Sequence, residues 1–214
     1  MSTIIKYATK EHESYAIAIC ELIESAAKKR GTGIAKRDPE YIKAKMKSGN
    51  AVIALDEHLN LAGFCYIETW EEKKYVANSG LIVDPKFRGQ GLAKKIKATA
   101  FELSRSKYPN SKLFGITTSL PVMKINSDLG YWPVTFSELT QDITFWNGCK
   151  SCPNFDILTR NERNNCLCTG MLYDPKHPNN KPKKQREYNI NKFYRWVQLK
   201  KNSFLSVLNN TKLF

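Results

Sequence analysis

No stretch of this 214-residue chain approaches the ~18 consecutive apolar residues that a bilayer-spanning helix needs. The opening Met-Ser-Thr-Ile-Ile-Lys lacks the basic-then-apolar run of a secretory leader. Both absences argue against a membrane protein and lead us to expect a cytosolic one. In that compartment the six cysteines are not expected to pair as disulfides. Acid is scarce as well: 20 Asp and Glu stand against 34 Lys and Arg, a formal net charge of +14. The imbalance is steepest between Lys176 and Lys201, where nine basic residues face the single acid Glu187, a net of +8. Such a block suits nucleic acid or an acidic partner, but a solvated tail has the same composition.

What is present is the composition of a globular protein, 42% hydrophobic and 25% charged. The length allows one good core with an appendage. The chain is organised around Leu81 to Ala93, LIVDPKFRGQGLA. A strand-like run, Leu81-Ile82-Val83, stops at Asp84-Pro85, and the turn Arg88-Gly89-Gln90-Gly91 leads into a helix that begins with Leu92-Ala93. A helix start presents free N–H groups and the positive end of the helix dipole, which suit a phosphate. Gly89 and Gly91 let the backbone bend and leave no Cβ between amides and ligand. A Walker loop is excluded, since Leu92 follows Gly91 where Lys-Ser/Thr is needed. A dinucleotide fingerprint is excluded too, since Lys94 stands where glycine or alanine belongs.

Around this stretch the pattern predicts further elements. Apolar spacing from Lys10 to Lys29 predicts an amphipathic helix, ended by Gly31-Thr32-Gly33. Asp38 and Pro39 predict the cap and first position of a second helix, to about Lys47. Strands are predicted at Ala51–Leu55, Leu61–Trp70 and Tyr75–Val83. After the helix to Lys107 come a strand at Lys112–Thr117, a helix at Leu120–Leu129 closed by Gly130, and a strand at Tyr131–Phe136.

Arg88-Gly89-Gln90-Gly91-Leu92-Ala93 resembles the signature Arg/Gln-x-x-Gly-x-Gly/Ala of the GNAT superfamily of N-acetyltransferases. The order of elements across residues 3–140 is similar to that family's. The resemblance implies an α/β fold on a mixed sheet and a loop holding the pyrophosphate of acetyl-CoA or another acyl-CoA. It implies cofactor contacts at Ile82, Val83, Arg88, Gly89, Gln90, Gly91, Leu92, Ala93 and Asn126. Backbone N–H groups near Ile82 and Val83 would polarise the acyl carbonyl. A second match is Lys124 to Tyr131, KINSDLGY, similar to a family helix ending in Leu-Gly-Phe/Tyr. Many members carry there a tyrosine that protonates the departing thiolate. Here the position holds Asn126, which can hydrogen-bond coenzyme A but is no proton donor; an exposed polar residue on the helix is the alternative. Family members use a carboxylate on a central strand as base, and Glu68 is the best-placed candidate; an ordinary strand-end carboxylate is its alternative. Asn78 and Ser79 are candidates to touch substrate, and Lys36 and Arg37 to receive a substrate carboxylate.

Beyond residue 140 Cys149-x2-Cys152 is followed, after thirteen residues, by Cys166-x-Cys168. Two close thiol pairs suit a structural tetrahedral Zn²⁺, although one residue between paired cysteines is less usual than two. Such a metal, at ~10–16 kcal/mol, would stand in for a missing core. A redox pair and plain buried thiols are the alternatives. Cys20 and Cys65 fall on apolar faces and read as core. The stretch from Phe145 to Pro175 is similar to a bacterial acyltransferase subgroup that accompanies arginine-biosynthesis enzymes. Gly31–Arg37 and Ser137–Asp142 are similar to the same subgroup. That resemblance covers about residues 5–175 and implies glutamate or ornithine as the amine.

The expected organisation is thus an acyltransferase domain at 1–140, a small cysteine-rich extension at 141–175 and a basic tail at 176–214. The expected reaction is direct acyl transfer from acyl-CoA to a small primary amine, with neither membrane nor nucleic acid as partner. The competing reading is a protein or nucleic-acid binder that uses the cysteines and basic tail on an acyltransferase scaffold.

Overall fold

The structure is a computed structural model that describes residues 2–30 and 36–178. Residues 31–35, with the predicted helix end at Gly31-Thr32-Gly33, and those from 179 onward, with the aromatics Tyr188, Phe193, Tyr194 and Trp196, lie outside the described residues. Among those described, no helix is long and apolar enough to cross a membrane.

The elements run β1 (Thr3–Tyr7), α1 (Ala16–Arg30), α2 (Pro39–Lys47), β2 (Ala51–Asp56), β3 (Leu61–Trp70), β4 (Tyr75–Val83) and α3 (Leu92–Lys107). They continue with β5 (Lys112–Thr117), α4 (Leu120–Asp128), β6 (Trp132–Val134), α5 (Ile143–Asn147), α6 (Phe155–Arg160) and β7 (Thr169–Tyr173). Local chemistry sets several boundaries. Asp38 caps α2 by accepting from the amides of Glu40 and Tyr41, with Pro39 at the first position. Gly130, at φ +91, follows the end of α4. The predicted first helix is shorter than expected, because Lys10–Tyr15 forms a 3-10 turn before α1 begins.

The seven strands form one mixed sheet in the order β1-β2-β3-β4-β5-β7-β6. All neighbours are antiparallel except β4 and β5. The alternation of β2 and β3 divides the core in two. Ile53, Leu55, Phe64 and Tyr66 pack under α1 and α2 with Ile19, Ile23, Ile42 and Met46. Val52, Ala54, Cys65 and Ile67 face the α3 side with Ile96, Ala100 and Leu103. Cys65 is fully buried there, and Cys20 packs against the α1/α2 core, as expected of core thiols.

Two strands have no counterpart in the expected order. β1 is a short edge strand whose Ile4 and Tyr7 remain exposed, so its alternation is weak. β7 corrects the expected boundary at residue 140. It lies between β5 and β6, pairing Phe114 with Leu172 and Trp132 with Leu172. The segment after 140 therefore returns to complete the sheet, and Met1–Asn179 forms one compact unit. Its own core joins Tyr75, Phe114, Phe136, Trp146, Leu158 and Leu172. The Glu71 carboxylate in the β3–β4 turn ties it down, accepting from the Thr140 hydroxyl and the Gln141 amide.

Candidate active site

β4 and β5 pair only at Tyr75↔Lys112, Val76↔Leu113 and Ala77↔Phe114. β4 then runs on to Val83 and β5 to Thr117 without further pairing, so the strands part. The gap opens into a cleft of about 490 Å³, lined on one side by Asn78–Leu81 and on the other by Gly115–Thr118. The β3–β4 register shifts between Phe64 and Tyr66, opposite Gly80. Gly80 holds φ +66, and a Cβ there would stand 2.6 Å from Cε1 of Tyr66. Glycine is required on both counts, and it lets the Tyr66 ring approach the strand closely.

Strand alternation decides which amides face the gap. The Asp84 N–H donates to the Ala62 carbonyl, so the Ile82 N–H, two residues back, also points at β3. Those of Leu81 and Val83 point to the open edge. The Ile82 amide thus belongs to the β-ladder, and the open-edge amides near it are those of Leu81 and Val83. The Val83 carbonyl, on that same edge, accepts from Nε of Arg88. The Arg88 side chain thus folds back onto β4 while Gly89 and Gln90 stay exposed. Gly89 and Gly91 have φ +78 and +75, and a Cβ on either would meet no protein atom within 4 Å. Their backbone conformation, not internal crowding, demands glycine. Leu92 is buried and Ala93 half-buried at the start of α3.

One side of the cleft is built from α2, β3 and the residues before α2. The Glu68 carboxylate accepts from Tyr41 Oη at 2.6 Å and pairs with Lys45 through its other oxygen. Tyr41 and Tyr66 meet edge to face, and burial pushes both phenols above their ordinary range. Nε of Arg37 donates to Tyr66 Oη at 2.7 Å, and its guanidinium lines the cleft. Lys36 lies at the edge of the same cleft, with its ammonium exposed and paired with Glu24. Trp70 brings a buried indole N–H with no protein acceptor.

The other side is built from α3 and α4. Asn126 is 1% exposed, so it does not sit on an exposed helix face, and its side-chain oxygen has no partner. The Asn78 side chain, though at the cleft, is engaged within the protein. Its amide donates to Ser104 Oγ at 2.8 Å, and its oxygen accepts from Tyr131. Ser79 is half-buried and its carbonyl accepts from the Cys65 thiol.

Sequence reasoning missed Lys97, which lines this cleft at 2% exposure. Its ammonium stands 5.4 Å from the centroid of the Tyr131 ring, and burial pushes it down to about 8. A signal existed. Lys97 and Ser104 lie on the stripe of α3 that buries Leu92, Ile96, Ala100 and Leu103, where a lysine is out of place.

Cys149, Cys152, Cys166 and Cys168 line one small pocket beside Phe155 and Leu158. Burial first, and then the neighbouring thiols, push Cys149 up to about 11 and Cys168 to about 12. The expected four-thiolate metal site is nevertheless not formed: among the described residues no three His, Cys, Asp or Glu side chains stand where they could hold one ion. The sulfurs are turned to local partners. Cys152 accepts from the Asn154 amide, and Cys166 donates to the Asn154 carbonyl.

Residues 16–119, from α1 to the residue before α4, match the model of the Acetyltransferase (GNAT) family. The matched segment, just under half of the chain, has the sequence pattern of a GNAT acetyltransferase domain. No curated protein matches the sequence. Among solved structures, the GNAT domain is similar to N-acetylglutamate synthase from Neisseria gonorrhoeae complexed with coenzyme A and N-acetyl-glutamate. Identity is 18% and TM-score 0.58, over 80% of this chain and 35% of that one. The chain therefore spans about a third of that enzyme's length. A Mycobacterium tuberculosis protein in complex with coenzyme A gives 15% identity and TM-score 0.58, over 80% of this chain and 98% of that one. A phosphinothricin acetyltransferase from Sinorhizobium meliloti, in complex with acetyl-CoA, gives 14% identity and TM-score 0.54, over 81% and 89%. At these identities the shared property is the fold, and it is the mixed α/β fold expected.

Proposed function

We propose that the protein transfers an acetyl or closely related acyl group from acyl-CoA to the primary amine of a small, carboxylate-bearing molecule. The observation that carries this reading is the parting of β4 and β5 ahead of α3. It opens a cleft with free strand amides on one edge and a carboxylate and a guanidinium beyond it. The pyrophosphate would lie on Arg88–Ala93, where two left-handed glycines leave room and α3 begins with no acid in its first turn. The acyl carbonyl would accept from the open-edge amides of Leu81 and Val83. Asn126, with its unpartnered oxygen, would bind coenzyme A. Glu68 would take the amine's proton by giving up Lys45 or Tyr41, directly or through water.

Arg37 and the Trp70 indole support a substrate carboxylate. An amino acid such as glutamate or ornithine fits that chemistry, and the neisserial relative is complexed with N-acetyl-glutamate. A cytosolic setting is part of the proposal and rests on six unpaired thiols. Structural Zn²⁺ at Cys149, Cys152, Cys166 and Cys168 is also a proposal, supported by four thiols on one pocket. Binding it requires Cys152 and Cys166 to turn from Asn154. Among the described residues nothing favours a binding protein without catalysis.

The test is calorimetric titration with acetyl-CoA and succinyl-CoA, repeated on Gly91→Glu. Micromolar binding that the variant loses supports the loop, and the tighter thioester names the acyl donor. Absence of binding to either one overturns the reading.

A further inference from the structure

Among the described residues, no anion pairs with the buried Lys97 ammonium. Lys97 is 2% exposed on α3, its ammonium lies over the Tyr131 ring, and the Cys65 thiol is near enough to act on it electrostatically. An uncompensated cation in that setting is costly, and a cation–π contact repays only part of the cost. The same cleft is lined by Asn126, 1% exposed, whose side-chain oxygen has no partner among the described residues. Both residues lie on the α3/α4 side of the gap. Arg37, Tyr41 and Glu68 occupy the α2/β3 side.

We propose that Lys97 is the group that receives the departing sulfur of coenzyme A, donating its proton to the thiolate. This rests on the acyl-CoA reading above. The amine attacks from the Glu68 side, so the leaving group departs toward α3, from whose first turn coenzyme A is held. The N–C bond forms and a proton leaves the nitrogen for Glu68. The C–S bond then breaks with its electron pair passing to sulfur. An Nζ–H proton moves to that sulfur and coenzyme A leaves as the free thiol; Glu68 then gives its proton to water, and water returns one to neutral Lys97.

Burial brings the ammonium down to about 8, close to the ~8.5 of a thiol, which suits proton exchange between them. The other titratable groups facing Lys97 are the Cys65 thiol of β3 and the Tyr131 phenol. Burial raises both, Cys65 to about 11, so neither supplies charge near pH 8. Asn126 from α4 and Asn78 from β4 are neutral. The nearest expected carboxylate, Glu68, is across the cleft and held by Lys45.

The experiment compares coenzyme A with desulfo-coenzyme A by calorimetry from pH 6 to 9, on the full chain and on Lys97→Met and Lys97→Arg. It needs no knowledge of the amine. The wild type is expected to prefer coenzyme A by about tenfold near pH 8, where a bound thiolate faces the ammonium. Thiolate absorbance of bound coenzyme A should appear at lower pH than in free solution. Lys97→Met should bind both ligands alike and lose the absorbance shift, while Lys97→Arg should keep the preference. Equal binding of both ligands to the wild type, or a preference that survives in Lys97→Met, overturns the assignment but leaves the acyl-CoA reading standing. Failure of the wild type to bind either ligand overturns both.

Discussion

The hydroxyl of Tyr131 donates to the side-chain oxygen of Asn78 across 2.9 Å, in the buried layer between β4 and α3. Asn78 passes the connection to Ser104, and Ser104 to the Ala100 carbonyl of the same helix. By sequence alone Tyr131 is a candidate acid for the thiolate, but its proton is committed to Asn78. Burial holds its phenol well above the ordinary value. Its task is to fix α3, and with it Lys97, against the central strand. Tyr131→Phe should leave the Asn78 oxygen unpaired and cost about 1–3 kcal/mol in chemical denaturation. Acetyl-CoA affinity should change little. A loss of binding with unchanged stability would contradict this division.

Gly80→Ala should be damaging although the change is one methyl group. The backbone there has φ +66, and the new Cβ would press on the Tyr66 ring that Arg37 holds. We expect a stability loss of about 1–3 kcal/mol. We also expect the acceptor KM to rise several-fold while acetyl-CoA binding holds. Calorimetry and steady-state kinetics on one preparation separate the two.

Lys97 should cost the folded protein stability, with a defined dependence on pH. Its folded value, about 8, lies below the ordinary 10.5. Below pH 8 both states carry the proton and the folded state bears the full burial penalty. Between 8 and 10.5 the unfolded chain binds more protons than the folded one, so stability rises with pH. Lys97→Met should therefore be more stable than wild type at pH 7, by about 3 kcal/mol, with the gain fading as pH approaches 10.5. Equal stabilities at pH 7 would show that the ammonium is solvated in the protein.

The four cysteines make a prediction read by elemental analysis. If the cluster holds zinc, purified protein should carry one equivalent, and chelation should lower the melting temperature. Cys149→Ser should remove the metal. A metal-free protein of unchanged stability would leave the thiols as core residues, packed as now beside Phe155 and Leu158.

Short-range chemistry was legible in the sequence because it depends on neighbours in the chain. Asp38 and Pro39 start α2, Gly130 follows α4, and Gly89 and Gly91 adopt left-handed conformations, all through interactions a few residues long. The apolar runs of β2, β3 and β4, bounded by turn residues, likewise mark the order of most of the sheet's elements. The position of β7 was not legible. A strand of five residues, Thr169–Tyr173, finds its partners through Phe114 and Trp132, dozens of residues away, and nothing local specifies that it enters between β5 and β6. The same holds for the site. Glycines and a capped helix mark the loop, but the cleft exists because β4 and β5 stop pairing after Ala77. Only long-range packing puts Lys97 in a dry wall of that cleft, turns Asn126 inward, commits Asn78 to Tyr131, and points the Ile82 amide away. Local sequence determined which segments are helix, turn and strand. The burial of a charge, and hence its chemistry, was decided by what the folded chain brings around it.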